Sequence, residues 1–515
     1  MKFNFYKRAV NFYCSFTIIE KSYYLVYTVK KIYFEKVIIM NYKKIEIQEF
    51  DKLKVLTPNL ATWEKYKNQQ ILRLRNKEAD IFVVENNNNF IGEITVNYVS
   101  HELETETIKN KRVYLEAFRI KKEFQNSGLG QNLIKFVINY LLNLGYSEYT
   151  IGVEENNNIA KHIYNKLGFI MPIDKGYGNE FDPSSYTLYL KKISEINIII
   201  NKMVIALNLG KLLEEPLRVT GGLLNRMYKV KTTTGIYAVK HLNPEVMKRN
   251  GAKENHILAE QIANFAKGKG IECLPAKNIN GTALQEFDNN YFFIFDWFDG
   301  KAISDTEITI EKVKKVATIL AKIHNIDFGK LKDKCKLGKE LFEVDWDFYI
   351  NKLENEEIKD LIIANKNRLI ELDKKSTEAA KEIRKNVVVS HRDLDLPNIL
   401  WDEKDNPVLI DWESSGVVNP CEEVLETAWD WSGGQDYFDR EKFNCFLNTY
   451  KENGGDLADF SKAIYSNFKN KSGWLEYNLK RVCGLECLDE EEQKLGEKEV
   501  KRVIKEIFKF YDILG

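Results

Sequence analysis

The sequence predicts a multidomain chain of mixed α/β and α+β class, and three observations carry that expectation. At about 150 residues per domain, 515 residues are too many for one compact unit. Strand-like runs alternate with amphipathic helical stretches over residues 80–169, and again over 221–300. Two internal methionines open what read as separate coding units. Met40 precedes NYKKIEIQEF, and Met203 precedes VIALNLGKLLEEP after a segment closing in SYTLYLKKI. Apolar residues make up 44% of the chain, enough to fill several cores. The 76 basic residues cancel 76 acidic ones, which removes the electrostatic footprint of a nucleic-acid binder. Seven scattered cysteines without zinc spacing point to reduced thiols in a cytoplasm. No apolar run approaches the roughly 20 residues of a membrane span, so a membrane partner is not expected.

These features divide the chain into four segments. Residues 1–39 have a basic start and a weakly apolar stretch diluted by Asn11, Ser15 and Thr17, with no cleavage site. They read as a poorly ordered extension. Residues 40–195 form a first unit, and the join near 193–203, free of glycine and proline, reads as a short stiff connector. Residues 203–299 and 300–515 form two lobes of a second unit.

In the first unit, Asp80–Glu85 and Phe90–Val99 flank an asparagine turn and predict a hairpin. Arg112–Ile120 is a further strand. Asn132–Leu144 is a helix with apolar residues at 133, 134, 137, 138, 141 and 142. Between strand and helix stands QNSGLG, Gln125 to Gly130. Free backbone N–H groups at such a turn, with the helix dipole behind them, favour an anion. Tyr149–Val153 then predicts a strand, followed by EENNNIAKHIYNKLGF.

This order of strand, Q-x-x-G-x-G turn, helix, strand and N-x-x-A-x-x-x-Y-x-x-x-G-F resembles the GNAT superfamily of N-acetyltransferases over nearly the whole unit. The resemblance implies a GNAT fold and acetyl-CoA as cofactor, with its pyrophosphate on Gln125, Ser127, Gly128, Leu129 and Gly130. It implies a cofactor-side asparagine at Asn157, with Asn156 and Asn158 as competitors, and a tyrosine general acid at Tyr164. Tyr164 also belongs to an apolar helical stripe with Ala160, Ile163 and Leu167, so a core role competes. Glu116, on the strand before the turn, is the candidate to relieve an amine of its proton, directly or through water. The family also splays that strand from its neighbour to bind the acyl thioester.

The second unit carries VVVSHRDLDLPNILWD, Val387 to Asp402, with VLIDWE at Val408. His391 to Asn398 matches the kinase pattern H-R-D-L-x-x-x-N residue for residue. Asp393 fits the role of orienting and deprotonating a hydroxyl. Asn398 and Asp411 fit the role of metal ligands for Mg2+ bridging nucleotide phosphates. Upstream, GGLLNRMYKVKTTTGIYAVK predicts strand, hairpin turn at Thr234-Gly235, and strand. Gly221 and Gly222 form the phosphate turn and Lys240 the phosphate-neutralising lysine. Glu260, preferred to Glu254, is its expected helix partner. Phe292–Gly300, with Phe295 and Trp297, suits a hinge that contacts adenine through its backbone.

The spacing departs from protein kinases: GGLLNR lacks G-x-G-x-x-G, IDWE replaces D-F-G, and no activation segment follows. With LAKIH at Leu320–His324, the unit resembles instead the aminoglycoside phosphotransferase family and its choline- and homoserine-kinase-like relatives. This implies a bilobal protein-kinase-like fold and ATP (or GTP) as phosphoryl donor. That family usually has glycine where Arg392 stands. His324 and His391 read as structural.

From His391 to Tyr450, fourteen acidic residues face four basic ones, and HELETE at 101–106 adds three acids to the first unit. Such fields concentrate cations. The expected partner is therefore a cationic small molecule, of the aminoglycoside, choline or polyamine type. The order of the two units resembles the bifunctional aminoglycoside-modifying enzymes. The competing expectations are a housekeeping acetyltransferase fused to a choline- or homoserine-kinase-like enzyme, and a chain in which one site only binds ligand.

Overall fold

A computed structural model of the chain describes residues 27–33, 36–57, 60–100, 102–179, 182–219, 225–335 and 343–515. It divides into two compact units, Met1–Pro216 with Val230–Gly235, and Leu217–Lys229 with Ile236–Gly515. Among the described residues, no helix is long and apolar enough to cross a membrane.

The first unit is built on an eight-stranded sheet. In chain order its elements are β1 (Tyr27–Tyr33), β2 (Lys36–Lys44), α1 (Trp63–Arg75), β3 (Ala79–Asn86), β4 (Asn89–Asn97) and β5 (Arg112–Ile120). Then follow α2 (Leu129–Asn143), β6 (Glu148–Glu154), α3 (Asn158–Lys166), β7 (Met171–Asn179), β8 (Asp182–Lys192) and α4 (Glu195–Ala206). The strand order is β1-β2-β3-β4-β5-β6-β8-β7. Asn87 and Asn88, at φ 47° and 65°, turn the expected β3–β4 hairpin, because a short amide side chain tolerates the left-handed region. Phe50, Leu53 and Trp63 pack with Ile81 and Val83 on the α1 face, while Phe136 of α2 meets Phe82 on the other.

Two features of β5 shape the sheet. From Thr95↔Glu116 to Glu93↔Arg119, β5 advances three residues while β4 advances two. That extra residue is a bulge, with Ala117 at φ 51°. On its other side β5 pairs with β6 in parallel from Arg112↔Glu148 only to Leu115↔Ile151, although both strands continue. Beyond Leu115 the two strands diverge. The splay expected from the family resemblance is present.

Two expectations about organisation change. Residues 27–33 and 36–39, assigned to a poorly ordered extension, form the β1–β2 hairpin that lengthens the sheet through β2–β3 pairing; residues 1–26 lie outside the described residues. The connector is the helix α4. Ser194 caps it by accepting from Asn197 N, and Asn201 Nδ2 donates to the Leu142 carbonyl of α2 at 2.9 Å. The units divide at Pro216/Leu217, beyond the expected join. A stretch without glycine or proline propagated as helix, and its isoleucines found an apolar surface.

The second unit begins with β9 (Leu217–Val219), β10 (Arg226–Lys231), β11 (Ile236–His241), α5 (Ala252–Gly268), β12 (Gln285–Phe287) and β13 (Asn290–Asp296). These strands form a sheet ordered β12-β13-β11-β10-β9. The remainder is mainly helical. It includes α6 (Ile310–His324), α7 (Glu356–Ile383), α8 (Pro420–Asp430) and α9 (Arg440–Glu452). Residues 388–390 pair with 416–418, and 399–401 with 407–409, in two small hairpin-like ribbons that present the loops between them.

Because Ile199, Ile200, Met203 and Val204 of α4 are buried, a first-unit fragment ending at Glu195 is expected to melt below one ending at Pro216. The shorter fragment lacks these side chains and exposes the α2 surface they cover, and each lost burial of this size forfeits about 1.5–3 kcal/mol. Thermal denaturation followed by circular dichroism checks this; equal melting temperatures would detach α4 from the unit.

Candidate functional sites

In the first unit the splay between β5 and β6 brings the expected residues to one end of the sheet. Gly128, at φ 82°, is the residue before α2, and its left-handed backbone aims the amides of the turn along the helix axis. A side chain at Gly130 would bring its Cβ to 2.7 Å from Phe118 Cζ, so glycine there lets the Phe118 ring of β5 lie against the start of α2 without displacement. Gln125 Nε2 donates to the Ile120 carbonyl (2.9 Å) and Ser127 Oγ to that of Phe124 (2.5 Å). Both side chains brace the turn and leave its amides to face outward.

Tyr164 sits on α3 with its ring 6.3 Å from Phe118 and 6.1 Å from Phe169. The ring is core, as its helical stripe suggests, yet no described residue hydrogen-bonds the hydroxyl. Burial raises its pKa, so it holds its proton near neutrality. Asn157 caps α3, its Oδ1 accepting from Ala160 N at 3.1 Å. Glu116 is one-quarter exposed and accepts from Arg73 Nη1 at 3.1 Å. Arg73 also reaches Gln70 Oε1 and Asn97 Oδ1. Of the HELETE acids, Glu102 and Glu106 both accept from the Tyr186 hydroxyl at 3.1 Å, beside the splay.

In the second unit, Lys240 of β11 is buried and donates to Asp411 Oδ1 (2.7 Å) and Glu413 Oε2 (2.6 Å). Burial alone would lower the lysine pKa, and the two carboxylates outweigh it and raise it. Burial likewise works to raise Asp411, and Lys240 holds it below the usual carboxylate range. Glu260 takes another place than expected. Its Oε2 accepts from Ala276 N at 2.6 Å, and burial pushes its pKa up to about 7. The kinase-type lysine–glutamate pair on the helix is thus replaced by Lys240–Glu413, because IDWE presents an acid two residues beyond Asp411. Asn225 Nδ2 holds Glu413 at 2.8 Å.

The 391–398 loop is pinned from below. His391 is fully buried, its Nε2 bonded to the Ile410 carbonyl (2.9 Å) and its ring 4.7 Å from Trp412. Arg392 takes φ 66°, and its amide donates to Glu423 Oε1 at 2.6 Å. Glu423 Oε2 meets His324 Nε2 at 2.9 Å, and His324 Nδ1 meets the Tyr450 hydroxyl at 2.8 Å. Both histidines brace the loop. Asn398 Nδ2 donates to the Asp393 carbonyl, which leaves its Oδ1 outside that bond. Asp393 is open to solvent at its tip. Partial withdrawal from water in the cleft, with the charges of Asp411 and Glu426, pushes its pKa up to about 7. Burial and the charge of Asp393 raise Asp395 well above the usual range. Among the described residues, no three His, Cys, Asp or Glu side chains stand close enough to hold a metal by themselves.

Gly221 and Gly222 lie outside the described residues. Phe295 pairs with Ala238 on β13, and Trp297 N donates to the Ile236 carbonyl, so the expected hinge borders β11. Sequence reasoning missed Arg73, Glu413, Asn225 and Glu423. Only Glu413 carried a local signal, its place in IDWE.

Residues 46–169 match the acetyltransferase (GNAT) family, and residues 216–447 match the phosphotransferase enzyme family. A thialysine N-epsilon-acetyltransferase of Bos taurus is 31% identical over 77 residues, 15% of this chain and 45% of that protein. The chain thus spans under half of that relative. Among solved structures, a spectinomycin phosphotransferase with ADP and spectinomycin aligns at TM-score 0.46 and 14% identity, over 60% of this chain and 98% of the other. An ethanolamine kinase of Plasmodium vivax aligns at TM-score 0.42 and 17% identity, over 68% and 94%.

Glu423→Ala leaves the Arg392 amide and the His324 ring buried without their acceptor. The expected loss is about 3 kcal/mol of second-unit stability, read from the midpoint of urea unfolding. A loss under about 0.5 kcal/mol, the range of surface substitutions, would show that Glu423 does not brace the loop.

Proposed function

With a GNAT acetyltransferase domain over residues 46–169 and a phosphotransferase domain over 216–447, we propose that the chain is a bifunctional transferase. One unit acetylates an amine with acetyl-CoA, and the other phosphorylates a hydroxyl with ATP. The acceptor is a cationic small molecule of the aminoglycoside type. The observation that carries the phosphoryl half is the meeting of Lys240 and Asp411 at 2.7 Å, next to a loop that offers Asp393 and Asn398.

In the acetyl half, the divergence of β5 and β6 frees backbone groups for the thioester, and the amides of the 125–130 turn suit the pyrophosphate. Glu116, fixed by Arg73 on one oxygen, accepts the proton of the amine. Tyr164 protonates the departing thiolate. In the phosphoryl half, Lys240 exchanges carboxylates for nucleotide phosphates, and Asp393 takes the proton of the attacking hydroxyl. A magnesium ion bound by Asp411 and Asn398 would neutralise phosphate charge, and a two-ligand set suits an ion that keeps waters and phosphates in its shell. The carboxylates of Asp411, Glu413 and Glu426 all act on Asp393, and a cleft lined by such groups supports a cationic acceptor.

The deciding experiment is a mass-spectrometric screen of the purified protein, with each cofactor separately, against aminoglycosides, choline, homoserine and spermidine. Modified aminoglycosides are the expected products. Products only from choline or homoserine would turn the assignment to a housekeeping pair.

Acetyl-CoA is expected to raise the melting temperature of the first unit, and Gly128→Glu to abolish that shift. Nothing lies within 4 Å of a Cβ at Gly128, so a carboxylate would stand in the anion's path. Gly128→Ala imposes the same positive-φ strain without the charge and is expected to keep most of the shift. Equal loss in both variants would assign the effect to backbone strain.

Asp393→Asn is expected to cut phosphoryl transfer about 10²–10⁴-fold while nucleotide affinity and acetyl transfer stay near normal. Isothermal titration with ATP and separate turnover assays check it. Full kinase activity would remove Asp393 from the role of base.

A further inference from the structure

A segment far down the chain reaches the five-stranded sheet of the second unit. Residues 483–489 join the helix Phe468–Val482 to the last helix, Glu490–Leu514. They lie beyond the 216–447 stretch that matches the phosphotransferase family. Arg218 of β9 meets Glu491 at 3.1 Å, Arg226 of β10 meets Asp489, and Arg249, just before α5, meets Glu486. These pairs stand at the surface, where each contributes little by itself. Beneath them runs a buried connection of another kind.

Glu492, Asn243, Asn225 and Lys240 are all buried. Glu492 Oε1 accepts from Asn243 Nδ2 at 3.0 Å. The Asn243 backbone N–H donates to Asn225 Oδ1 at 2.9 Å. Asn225 Nδ2 donates to Glu413 Oε2 at 2.8 Å, and the same oxygen accepts from Lys240 Nζ at 2.6 Å. A hydrogen-bonded line thus runs from the start of the last helix to the buried ammonium. Its partners fix both side-chain amides: each oxygen takes a backbone N–H, from Asn243 or Glu245, and each nitrogen faces a carboxylate. An aspartate at either position would set two carboxylates against each other, and an apolar residue would leave buried polar groups unpaired. Glu492 is itself braced, its other oxygen accepting from Leu488 N at 3.0 Å.

We propose that Asn243 and Glu492 are positioning residues for the nucleotide site, acting on Lys240 through Asn225 and Glu413. The proposal rests on the phosphoryl-transfer reading above. When nucleotide phosphates draw Lys240 forward, the ammonium keeps a fixed starting point as long as Glu413 stays where Asn225 holds it. Asn225 is held in turn by the Asn243 amide, and Asn243 is pinned by Glu492. Buried hydrogen bonds in series polarise one another, and a break in one leaves a costly unpaired group. The last helix thereby sets the place of a lysine on β11.

Asn243→Ser in the full chain keeps a hydroxyl to cap Glu245 N and deletes the donor to Glu492. Isothermal titration with ATP and magnesium is expected to show a Kd about tenfold higher, the size of one lost hydrogen bond to a charged group. The acetyl-CoA melting shift of the first unit is expected to stay as in the wild type. Glu492→Ala is expected to raise the Kd for ATP to the same extent. Because one line of bonds carries both effects, the double variant is expected to lie near tenfold as well. A rise near a hundredfold in the double variant, or an unchanged Kd in Asn243→Ser, would overturn the proposal. A second measurement needs no variant to fold. By the reciprocity of coupled sites, ATP is expected to slow backbone hydrogen–deuterium exchange over residues 486–493 of the wild-type chain. Slower exchange over 236–241 and 391–413 with none at 486–493 would overturn the proposal alone. ATP that is neither bound nor consumed would overturn the phosphoryl-transfer reading and the proposal with it.

Discussion

The second unit turns on an ammonium group withdrawn from water between two carboxylates. Lys240 comes from the sheet, and Asp411 and Glu413 from the turn after the second small ribbon. Removing a single partner from such a buried set typically costs about 3–5 kcal/mol. That asymmetry holds β11 of the sheet against the 411–413 turn. It also loads that contact with one ammonium and two carboxylates held within 2.7 Å of it. Asp411 stands at φ 61°, a conformation a β-carbon resists, and the contacts of Ile410, Trp412 and Lys240 hold it there.

The 391–398 loop obeys the same logic. It must be open above, where Asp393 faces solvent, and therefore has to be fixed from below. Fixation comes from Glu423, which takes the Arg392 amide with one oxygen and His324 with the other. Arg392 occupies a left-handed position where the resembling family usually has glycine. A short charge-assisted hydrogen bond to its amide offsets part of that strain. The LAKIH histidine thus acts through a carboxylate, remote from any reacting atom.

In the first unit the decisive constraint is the register of β5. A bulge at Ala117 rotates the strand, and pairing with β6 ends after Leu115. Glu116, at the break, keeps its face toward α1 while the strand beyond it opens. The price of the opening is unpaired backbone on both strands, and the same break places Phe118 against Gly130 and Tyr164.

Much of this was legible in the sequence. The Arg112–Ile120 strand, the 252–267 helix, the asparagine hairpin and the two motif-bearing turns follow from local periodicity and turn chemistry, which need only neighbouring residues. Lys240, Asp411, Asp393, Asn398, Tyr164 and Gly128 were recognisable because their spacing is itself the signal. The partner of Lys240 was not, since Glu260 and Glu413 are both plausible acids on nearby elements. Which one reaches the ammonium depends on how α5 packs, and Glu260 is captured first by the Ala276 amide. Arg73 and Glu423 left no local mark either, because their roles exist only where helix and loop from distant parts of the chain converge. The sequence by itself determined which chemistries the chain carries, through short motifs with fixed local geometry. Tertiary structure alone decided which charge neutralises which, because a buried carboxylate pairs with whatever packing brings within about 3 Å.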